Sequence, residues 1–467
     1  MEKIVSLAKR RGFVYPSAEI YGGLANSYDF GPLGAEVMRN LRSAWWESFV
    51  HRRNDMLGLD ASIISHAKIF EASGHTASFA DAMVDCKSCK ARLRADHLIE
   101  DFFESKEREE KVEGRSVEDL GEIISREKIP CPTCGKHDWT PVRKFNQLFP
   151  VHLGIIPDES KSLAYLRGET AQGMFINFKN VLDSTRVRLP FGLAQVGKSF
   201  RNEITPGNFI FRTLEFEQGE IEYFFDPEAT DWNKLFDKWK QEMWSFVTEE
   251  IGISQENLRW RAHTDEERSF YSKRTEDLDY RFPFGFKELW GIAYRTDYDL
   301  SQHEKFSGQN LKYTDPESGK SFIPHVIEPA VGFTRLFLMT LCDAYTEDGD
   351  RVYLKLKPRL APYKAAVFPL LANKPALVEK ARKIYEDLRA EFVVAWDDRG
   401  NVGKRYYAQD EIGTPYCITV DFDTLGEEGK DASQKDTVTV RDRDTAAQER
   451  VPVAKLAEIL REKISRA

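Results

Sequence analysis

The chain has 467 residues, enough for two or three domains, and its 41% hydrophobic and 31% charged residues are typical of a globular protein. It contains no apolar run near the roughly 18 residues of a membrane span. The first residues also lack an apolar core of signal-peptide length, so we expect a cytosolic protein with no membrane partner. The net charge of −9 does not indicate a general nucleic-acid binder. A local basic patch can still bind phosphate groups on an acidic protein.

The first long helix that the sequence predicts spans Gly34–Arg53. Its apolar residues recur near helical spacing and form a stripe along one side. These residues are Val37, Leu41, Ala44, Trp45 and Phe49. The stripe indicates a helix with one face in the core.

Four of the six cysteines form two Cys-x-x-Cys pairs, which read CKSC and CPTC. In a cytosolic protein two such pairs predict a structural zinc site with four thiolate ligands and no open position. The predicted ligands are Cys86, Cys89, Cys131 and Cys134. Gly135 suits a tight turn that directs backbone N–H groups at a thiolate. The alternative is four thiols without a metal. The charged stretch between the pairs predicts a helical surface insertion.

The stretch SFRNEITPGNFIFRTLEFEQGE interleaves opposite charges with aromatic rings over residues 199–220. Its centre, Thr205–Asn208, has strong turn chemistry, and its Phe- and Ile-rich flanks predict two strands of a hairpin. Alternate residues of a strand share a face. Arg201 and Glu203 are therefore expected to share a face of the first strand.

On the second predicted strand the same rule places Arg212, Phe216 and Glu220 on one face. Cations, anions and a ring at fixed spacing suit a ligand with a phosphate chain, a flat base and an amine. The alternative is a solvated ribbon with cross-strand ion pairs.

Strand-like runs dominate residues 145–345, with helices expected near 232–250 and 333–345. A strand is predicted to end near Glu328, and Gly332 allows a close turn into the second helix. Arg335 lies in the first turn of this apolar helix, where an unpaired buried charge would be costly. Its partner is either a ligand phosphate or a structural anion such as Glu328.

Beyond Pro358 and Pro362 the pattern changes to alternating strands and helices, which predicts a small α/β domain with a parallel or mixed sheet. Strands are expected over 364–371, 392–398, 416–423 and 436–445, and helices over 374–391 and 401–413. The last strand would carry Arg441 and Arg443 on one face.

Together these stretches resemble a class II aminoacyl-tRNA synthetase. SFRNE followed by FRTLEF is similar to the second signature of that class, and GFTRLFLMTL to its third. YGGLANSYDFGPLG, EASGH, RADHLIE, LRGETAQGMFINF, EFEQGEIEYF and ELWGIAYRTDYDLSQH narrow the resemblance to glycyl-tRNA synthetases of the single-polypeptide, homodimeric type.

The resemblance implies an α+β catalytic domain with a mixed, mainly antiparallel sheet, a zinc-binding insertion and a C-terminal α/β anticodon-binding domain. We expect the catalytic core over 1–85 and 146–357, the zinc insertion over 86–145 and the anticodon-binding domain over 358–467. The implied partners are glycine, ATP with Mg²⁺, tRNA-Gly and a second copy of the chain.

The resemblance also implies residue roles. Arg201 and Arg335 would be catalytic, Arg201 at the α-phosphate, and Arg212 and Arg335 would hold the outer phosphates. Glu203 and Phe216 would bind adenine, and Glu288 would help to hold Mg²⁺. The full implied ATP site is Arg201, Asn202, Glu203, Phe211, Arg212, Phe216, Glu288, Leu289, Gly332 and Arg335.

The implied glycine site is Arg94, Glu169, Phe216, Glu220, Glu328, Ala330 and Gly332. Three departures from the family pattern stand out. Ala330 occupies a position where a serine is usual, Gly168 replaces a proline, and the first class signature lacks a proline near Ala67 or Ala82. The missing serine hydroxyl removes one polar contact, worth about 1 kcal/mol.

Three other functions remain open. A synthetase-like binding protein would be expected to lose the signature arginines, which are present here. A ligase that adenylates an amino acid for a carrier protein would not need the C-terminal domain. A zinc-ribbon RNA-binding scaffold would not need the residues for ATP.

Overall fold

The computed structural model describes residues 1–466 except positions 79, 109, 111, 113, 114, 155–161, 204–206, 266, 270 and 427–431. Two residues of the predicted turn, Thr205 and Pro206, lie outside the described residues. No helix in this described part of the chain combines the length and the apolar character needed to cross a membrane.

The helices begin and end as follows: α1 Glu2–Arg11, α2 Pro32–Trp46, α3 Ala67–Ala72, α4 His75–Ser78, α5 Ala95–Glu104, α6 Val117–Arg126, α7 Ala171–Ser184, α8 Trp232–Ser245, α9 Tyr298–Ser307, α10 Phe333–Ala344, α11 Pro375–Arg389, α12 Val402–Ile412, α13 Phe422–Leu425 and α14 Leu456–Arg466. α2 and α8 continue into π-helical segments, Glu47–His51 and Phe246–Ile251. Local chemistry sets several ends. Pro32 opens α2, and Gly12 closes α1 with φ +78°.

The strands are β1 Val14–Pro16, β2 Tyr28–Phe30, β3 Met56–Gly58, β4 Ile64–His66, β5 Ala80–Asp85, β6 Arg92–Arg94, β7 Arg143–Asn146, β8 Phe149–His152, β9 Leu163–Leu166, β10 Phe191–Phe200, β11 Glu215–Phe225, β12 Leu258–Ala262, β13 Arg274–Phe282, β14 Gly285–Thr296, β15 Tyr313–Thr314, β16 Ser321–Phe322, β17 His325–Gly332, β18 Tyr345–Asp348, β19 Arg351–Leu354, β20 Ala365–Pro369, β21 Val394–Trp396, β22 Tyr416–Val420, β23 Thr437–Asp442 and β24 Gln448–Pro452.

The largest sheet runs in the order β12–β13–β14–β17–β11–β10–β3. Its neighbouring strands are antiparallel except β10 and β3, which pair in parallel. This confirms the predicted mixed, mainly antiparallel sheet. The central strands β14, β17 and β11 carry most of the candidate site.

The apolar helix α10 covers one face of the large sheet at β11, with α2 packed beside it. The contact is close: a Cβ on Gly219 would lie 2.6 Å from the Phe333 ring, so only glycine fits there. Trp45 of α2 packs edge-on to Phe333. Because the residues of β11 alternate between faces, those next to Gly219 point to the opposite face, away from α10.

The insertion folds around its own small core. β5 pairs with β6 and β7 in an antiparallel sheet, and α5 and α6 pack against it through a cluster that includes Leu98, Ile99 and Ile123. The helical character predicted between the cysteine pairs is confirmed. The sheet begins at Ala80 and ends at Asn146, so its first strand precedes the expected boundary at residue 86.

The C-terminal domain contains a sheet in the order β21–β20–β22–β23–β24. The strands β21, β20 and β22 pair in parallel, whereas β23 pairs antiparallel with both β22 and β24. This confirms the predicted mixed sheet. Each strand and helix expected there is present, with ends that differ by a few residues. The elements α13, β24 and α14 were not predicted.

Three features of the central region differ from expectation. The helices α7 and α9 were not predicted, although α7 is as long as α8. The strand β17 continues to Gly332 rather than ending near Glu328. Gly332 has φ −80°, so its conformation does not itself require glycine.

Candidate active site

A cavity of about 270 Å³ opens on the face of the large sheet opposite α10. Its walls come from β11, β13, β14 and β17, from the segment after β10 and from the start of α10. The lining residues are Glu169, Arg201, Glu203, Phe211, Arg212, Thr213, Phe216, Gln218, Glu220, His263, Tyr271, Thr275, Asp277, Glu288, Gly291, Ile292, Ala293, Glu328, Ala330, Gly332, Thr334 and Arg335.

Arg201 and Glu203 line the cavity from an irregular segment, not from a strand. β10 ends at Phe200, so the expectation that both lie on a strand face is wrong. The Arg201 Nε donates to the carbonyl oxygen of Gly168 at 3.0 Å. Its guanidinium carbon lies 5.3 Å from the centre of the Phe216 ring, within cation–π distance.

Arg212 also precedes its predicted strand, because β11 begins at Glu215. Its Nε lies 3.8 Å from the Glu203 carboxylate, so the two limbs of the predicted hairpin do meet. Phe216 and Glu220 follow on β11 and share its cavity face, as the alternation predicts. The strand geometry was therefore predicted correctly for two of the three residues.

Arg335 enters the cavity from the first turn of α10. Its Nη1 lies 3.0 Å from the Glu288 carboxylate and donates to the Glu288 carbonyl oxygen at 3.1 Å. Its guanidinium also stacks on the Phe211 ring at 4.4 Å. The structural partner considered from the sequence, Glu328, was the wrong one, because Glu328 pairs with another arginine.

Three buried glutamates form the other end of the cavity, and we call Glu169, Glu220 and Glu328 the acid cluster. Glu328 accepts a hydrogen bond from the Arg295 Nη1 at 2.7 Å. Glu220 accepts from the Thr170 backbone N–H at 2.8 Å and from Gln218 at 2.8 Å. The cluster is thus held by a guanidinium, a backbone N–H and an amide.

The three acids titrate differently because their neighbours differ. Burial raises the pKa of Glu220, and the charge of Glu169 raises it further. Burial also raises the pKa of Glu328 to about 8, despite its bond to Arg295. Burial acts on Glu169 in the same direction, but His75, Arg295 and Gln172 together outweigh it and lower the pKa of Glu169. At neutral pH the cluster therefore contains both ionised and protonated acids.

Arg295 is the main residue of this site that the sequence analysis missed. It is 1% exposed, and it donates to Asp299 through Nε at 2.8 Å and Nη2 at 2.9 Å. The Tyr271 ring covers its guanidinium at 4.0 Å. The signal was present in the sequence, since a lone arginine in the apolar run WGIAYRT must find an anion, as was argued for Arg335.

Three residues of the implied sites do not line the cavity. Leu289 is 1% exposed and belongs to the hydrophobic core. The Asn202 backbone N–H donates to the carbonyl oxygen of Gln147. Arg94 contacts the carboxylates of Asp96 and Asp81. The remaining residues of both sets do line it.

The four cysteines of the two pairs come together as predicted. Their Sγ atoms all lie within 4.8 Å of one another, and the Cys86–Cys134 and Cys89–Cys131 Sγ–Sγ distances are both 3.6 Å. Around a zinc ion with Zn–S bonds of about 2.3 Å, sulfurs at tetrahedral positions are about 3.8 Å apart. Backbone N–H groups of Cys89 and Ser88 lower the pKa of Cys86 to about 7. The donor set and its spacing fit zinc.

The two arginines predicted on one face of the last C-terminal strand are buried. Arg441 binds Asp410 through two hydrogen bonds of 2.8 and 3.0 Å. Arg443, just beyond β23, donates to the carbonyl oxygens of Gly413 and Leu356. Both guanidinium groups are therefore enclosed by the protein.

Comparisons with known proteins agree with this architecture. The model of the tRNA synthetase class II core domain (G, H, P, S and T) matches residues 153–344, and that of the anticodon binding domain matches residues 364–463.

Curated relatives match over nearly the full length. The glycine–tRNA ligase of Caldanaerobacter subterraneus subsp. tengcongensis is 50% identical over 469 residues, which cover 99% of this chain and 98% of the relative. That of Clostridium tetani is 49% identical over 470 residues, covering 99% and 98%. That of Geobacillus thermodenitrificans is 50% identical over 471 residues, covering 100% and 98%. The chain therefore belongs to the glycine–tRNA ligase family of the class II tRNA synthetases.

Proposed function

We propose that this chain is a glycine–tRNA ligase that activates glycine with ATP and transfers it to the 3′-terminal ribose of tRNA-Gly. The observation that carries the proposal is the single cavity, which joins three guanidinium groups to the acid cluster. A triphosphate needs fixed cations and a small zwitterion needs anions, and the cavity offers both within reach of one another.

At the guanidinium end, Arg201 would bind the α-phosphate, and Arg212 and Arg335 the outer phosphates. Adenine would stack on Phe216, with its amino group donating to the Glu203 carboxylate. A class II core implies ATP with Mg²⁺. Glu288 offers a carboxylate to that ion, which would neutralise charge on the phosphates.

The reaction is an in-line displacement. A carboxylate oxygen of glycine attacks the α-phosphorus, the bond to the bridging oxygen breaks, and pyrophosphate leaves. A ribose hydroxyl of tRNA then attacks the glycyl carbonyl, loses its proton and displaces AMP. Positioning and charge stabilisation by the arginines account for the catalysis of activation, so no protein nucleophile is required.

At the acid end, the glycine ammonium would bind the acid cluster beside Ala330 and Gly332. Glycine has no side chain that the site could bind, so selectivity requires that the site exclude larger amino acids. Steric exclusion is effective here because glycine has no smaller competitor. Arg94 lies outside the cavity lining, and we propose that it acts on the site indirectly, through Asp81 and the segment containing Asn202.

We also propose that the four-cysteine cluster holds a structural zinc ion. Zinc would supply folding energy to the insertion, because four thiolates that repel one another need a cation between them. Cys86 directly follows β5, and Cys89 lies three residues before β6. The metal would therefore brace the β5–β6 hairpin, which carries Arg94.

We further propose that the enzyme is a cytoplasmic homodimer. An exposed groove along α2, lined by Arg39, Ser43 and Trp46, offers a surface for a second copy. Light scattering of the purified protein tests the dimer. A mass equal to one chain at micromolar concentration would rule it out.

Two assays test the activity itself. Glycine-dependent ATP–pyrophosphate exchange measures activation, and charging of tRNA-Gly transcripts measures transfer. We expect both. Exchange without charging would favour a ligase that serves a carrier protein, and neither activity would favour a non-catalytic binding protein.

A further inference from the structure

Glu222 is a buried acid at the base of the acid cluster. Residues 216, 218, 220 and 222 of β11 alternate onto the same face, and the first three line the cavity. Glu222 lies one step deeper and has no exposed surface. Within the part of the chain that the structure describes, neither of its carboxyl oxygens has a hydrogen-bond partner. A native protein rarely leaves such a group unpaired without a reason.

The charges around Glu222 are mostly negative. Glu220 on β11, Glu328 on β17 and Asp299 on α9 face it, together with the Arg295 guanidinium on β14. Arg295 already donates to Asp299 through two nitrogens and to Glu328 through the third. Among the described residues, the charges that act on Glu222 are thus those of three acids and one cation, and that cation already binds two of the acids.

An ionised carboxylate in this position would have no compensating partner. Burying such a charge unpaired is so costly that the group takes up a proton instead. Burial, reinforced by the charge of Glu328, raises the pKa of Glu222 well above its ordinary value. The electrostatics and the geometry therefore both favour a protonated, neutral Glu222.

We propose that Glu222 is a positioning residue that stays a neutral carboxylic acid beneath the glycine site and so keeps Arg295 bound to Glu328. If Glu222 were ionised, it would compete with Glu328 for the Arg295 guanidinium and displace it from the acid cluster. The neutral acid fills the space without competing. This inference rests on the proposed binding of the glycine ammonium by the acid cluster.

The kinetic test compares Glu222→Gln with Glu222→Ala in the full-length enzyme. Glutamine has the shape of the neutral acid, so we expect a glycine KM within about twofold of wild type. Alanine leaves an empty space at the base of the acid cluster, so we expect the glycine KM to rise about tenfold while the ATP KM changes little. A glutamine variant as impaired as the alanine variant would overturn the proposal, since it would mean that the carboxylate itself is needed.

A second readout does not depend on glycine binding. An acid whose pKa is raised by folding lowers stability as pH increases from its unfolded pKa to its folded pKa. Glu222→Gln removes that penalty, so its melting temperature should exceed that of wild type by a margin that grows between pH 6 and pH 9. A margin that is absent or constant with pH would overturn the proposal.

Glu220→Gln separates this inference from the proposed function. It removes a carboxyl group that is proposed to contact the glycine ammonium and should raise the glycine KM about 10- to 100-fold. If Glu220→Gln leaves the glycine KM unchanged, the glycine site is wrongly assigned. The melting profile of Glu222→Gln then still decides whether Glu222 is neutral.

Discussion

Glu328 is the acid whose protonation should control glycine binding. Its pKa is raised to about 8 by burial, with Arg295 opposing the shift. Below that pH the acid must lose a proton before it can form an ion pair with an ammonium. We therefore expect the glycine KM to fall as pH rises from 6 to 8, by up to about tenfold per pH unit at the acid end.

The measurement is glycine KM in pyrophosphate exchange across this pH range, with ATP KM determined in parallel. The residues proposed for ATP are separate from the acid cluster, so the ATP KM should change less. A glycine KM that stays flat from pH 6 to pH 8 would contradict the assignment of Glu328 to the ammonium.

Arg335 is the arginine whose loss should separate catalysis from folding most clearly. Its side chain is 22% exposed and its partner Glu288 is 47% exposed, so Arg335→Ala leaves no buried charge unpaired. Losing one fixed cation at the phosphates should lower the activation rate about 10²- to 10³-fold. Exchange kinetics measure the rate, and a melting curve measures the fold.

Arg281→Ala is a matched control for Arg335→Ala, because Arg281 is exposed and donates to Asn257. It should keep the wild-type exchange rate. If Arg335→Ala retained full activity, the guanidinium end of the cavity could not be the phosphate site.

For single residues, the sequence predicted which side chains line the cavity better than it predicted the secondary structure that carries them. Arg201 and Arg212 reach the cavity as expected, but from irregular segments that flank the strands. An alternating pattern continues past the last ladder hydrogen bond, so the pattern alone cannot reveal where a strand ends. Arg295 was missed because its role at the site depends on Glu328, which is 33 residues away in the sequence and is brought near it only by folding.

Among the elements, the insertion that carries the four-cysteine cluster gives a direct test of the proposed zinc site. Arg94 on β6 contacts Asp81 at 3.4 Å, and Asp81 accepts from Gln147 at 2.6 Å. Gln147 in turn accepts from the Asn202 backbone N–H at 2.8 Å. These contacts connect the β5–β6 hairpin, whose turn carries Cys86 and Cys89, to the segment of Arg201. A second route leads to the acid cluster: Asn146 of β7 donates to the His75 carbonyl oxygen at 3.3 Å, and the His75 Nε2 lies 3.2 Å from the Glu169 carboxylate.

Removal of the metal should therefore loosen the glycine end of the site. We expect a verified metal-free sample to show a glycine KM raised several-fold, roughly the loss of one hydrogen bond, with a smaller change in ATP KM. Added zinc should restore both. Cys134→Ser should behave like the metal-free protein, whereas Cys342→Ala, outside the cluster, should not. An unchanged glycine KM in the metal-free protein would contradict the proposed bracing.

Helix α7 shows why some elements were not predicted from the sequence. The sequence of α7, AQGMFINFKNVLDS, combines aromatic and β-branched residues with Gly173. These residue types have modest or low helix propensity. Its Phe175 and Phe178 are buried against Phe224 of β11. Tertiary packing therefore stabilises a helix that local propensity does not favour.

In the whole molecule, the junction between the C-terminal domain and the core is built on Asp410. This residue of α12 has no exposed surface. It binds Arg441 of β23 and accepts from the Arg351 Nε at 2.7 Å, and Arg351 belongs to β19, in the hairpin that follows α10. The sequence placed Arg441 on a strand face correctly, but the alternation could not reveal that α12 covers that face.

Asp410→Asn should therefore strongly lower the free energy of unfolding of the protein. It removes the only charge that Arg441 and Arg351 share in the described structure, and breaking a buried ion pair in this way costs about 3–5 kcal/mol. Glu411→Gln on the same helix is the matched control. Its partners Arg10 and Arg11 are partly exposed, so that change should cost about 1 kcal/mol or less.

Denaturant unfolding measures both variants, and paired exchange and charging assays show what the junction does for function. At temperatures where Asp410→Asn remains folded, we expect glycine activation to be largely kept because the cavity lies in the core. Charging should fall further, because the proposed tRNA contacts require the C-terminal domain in a fixed position. Equal stability of the two variants would refute the role of Asp410. Equal losses of exchange and charging would show that the junction supports the cavity itself.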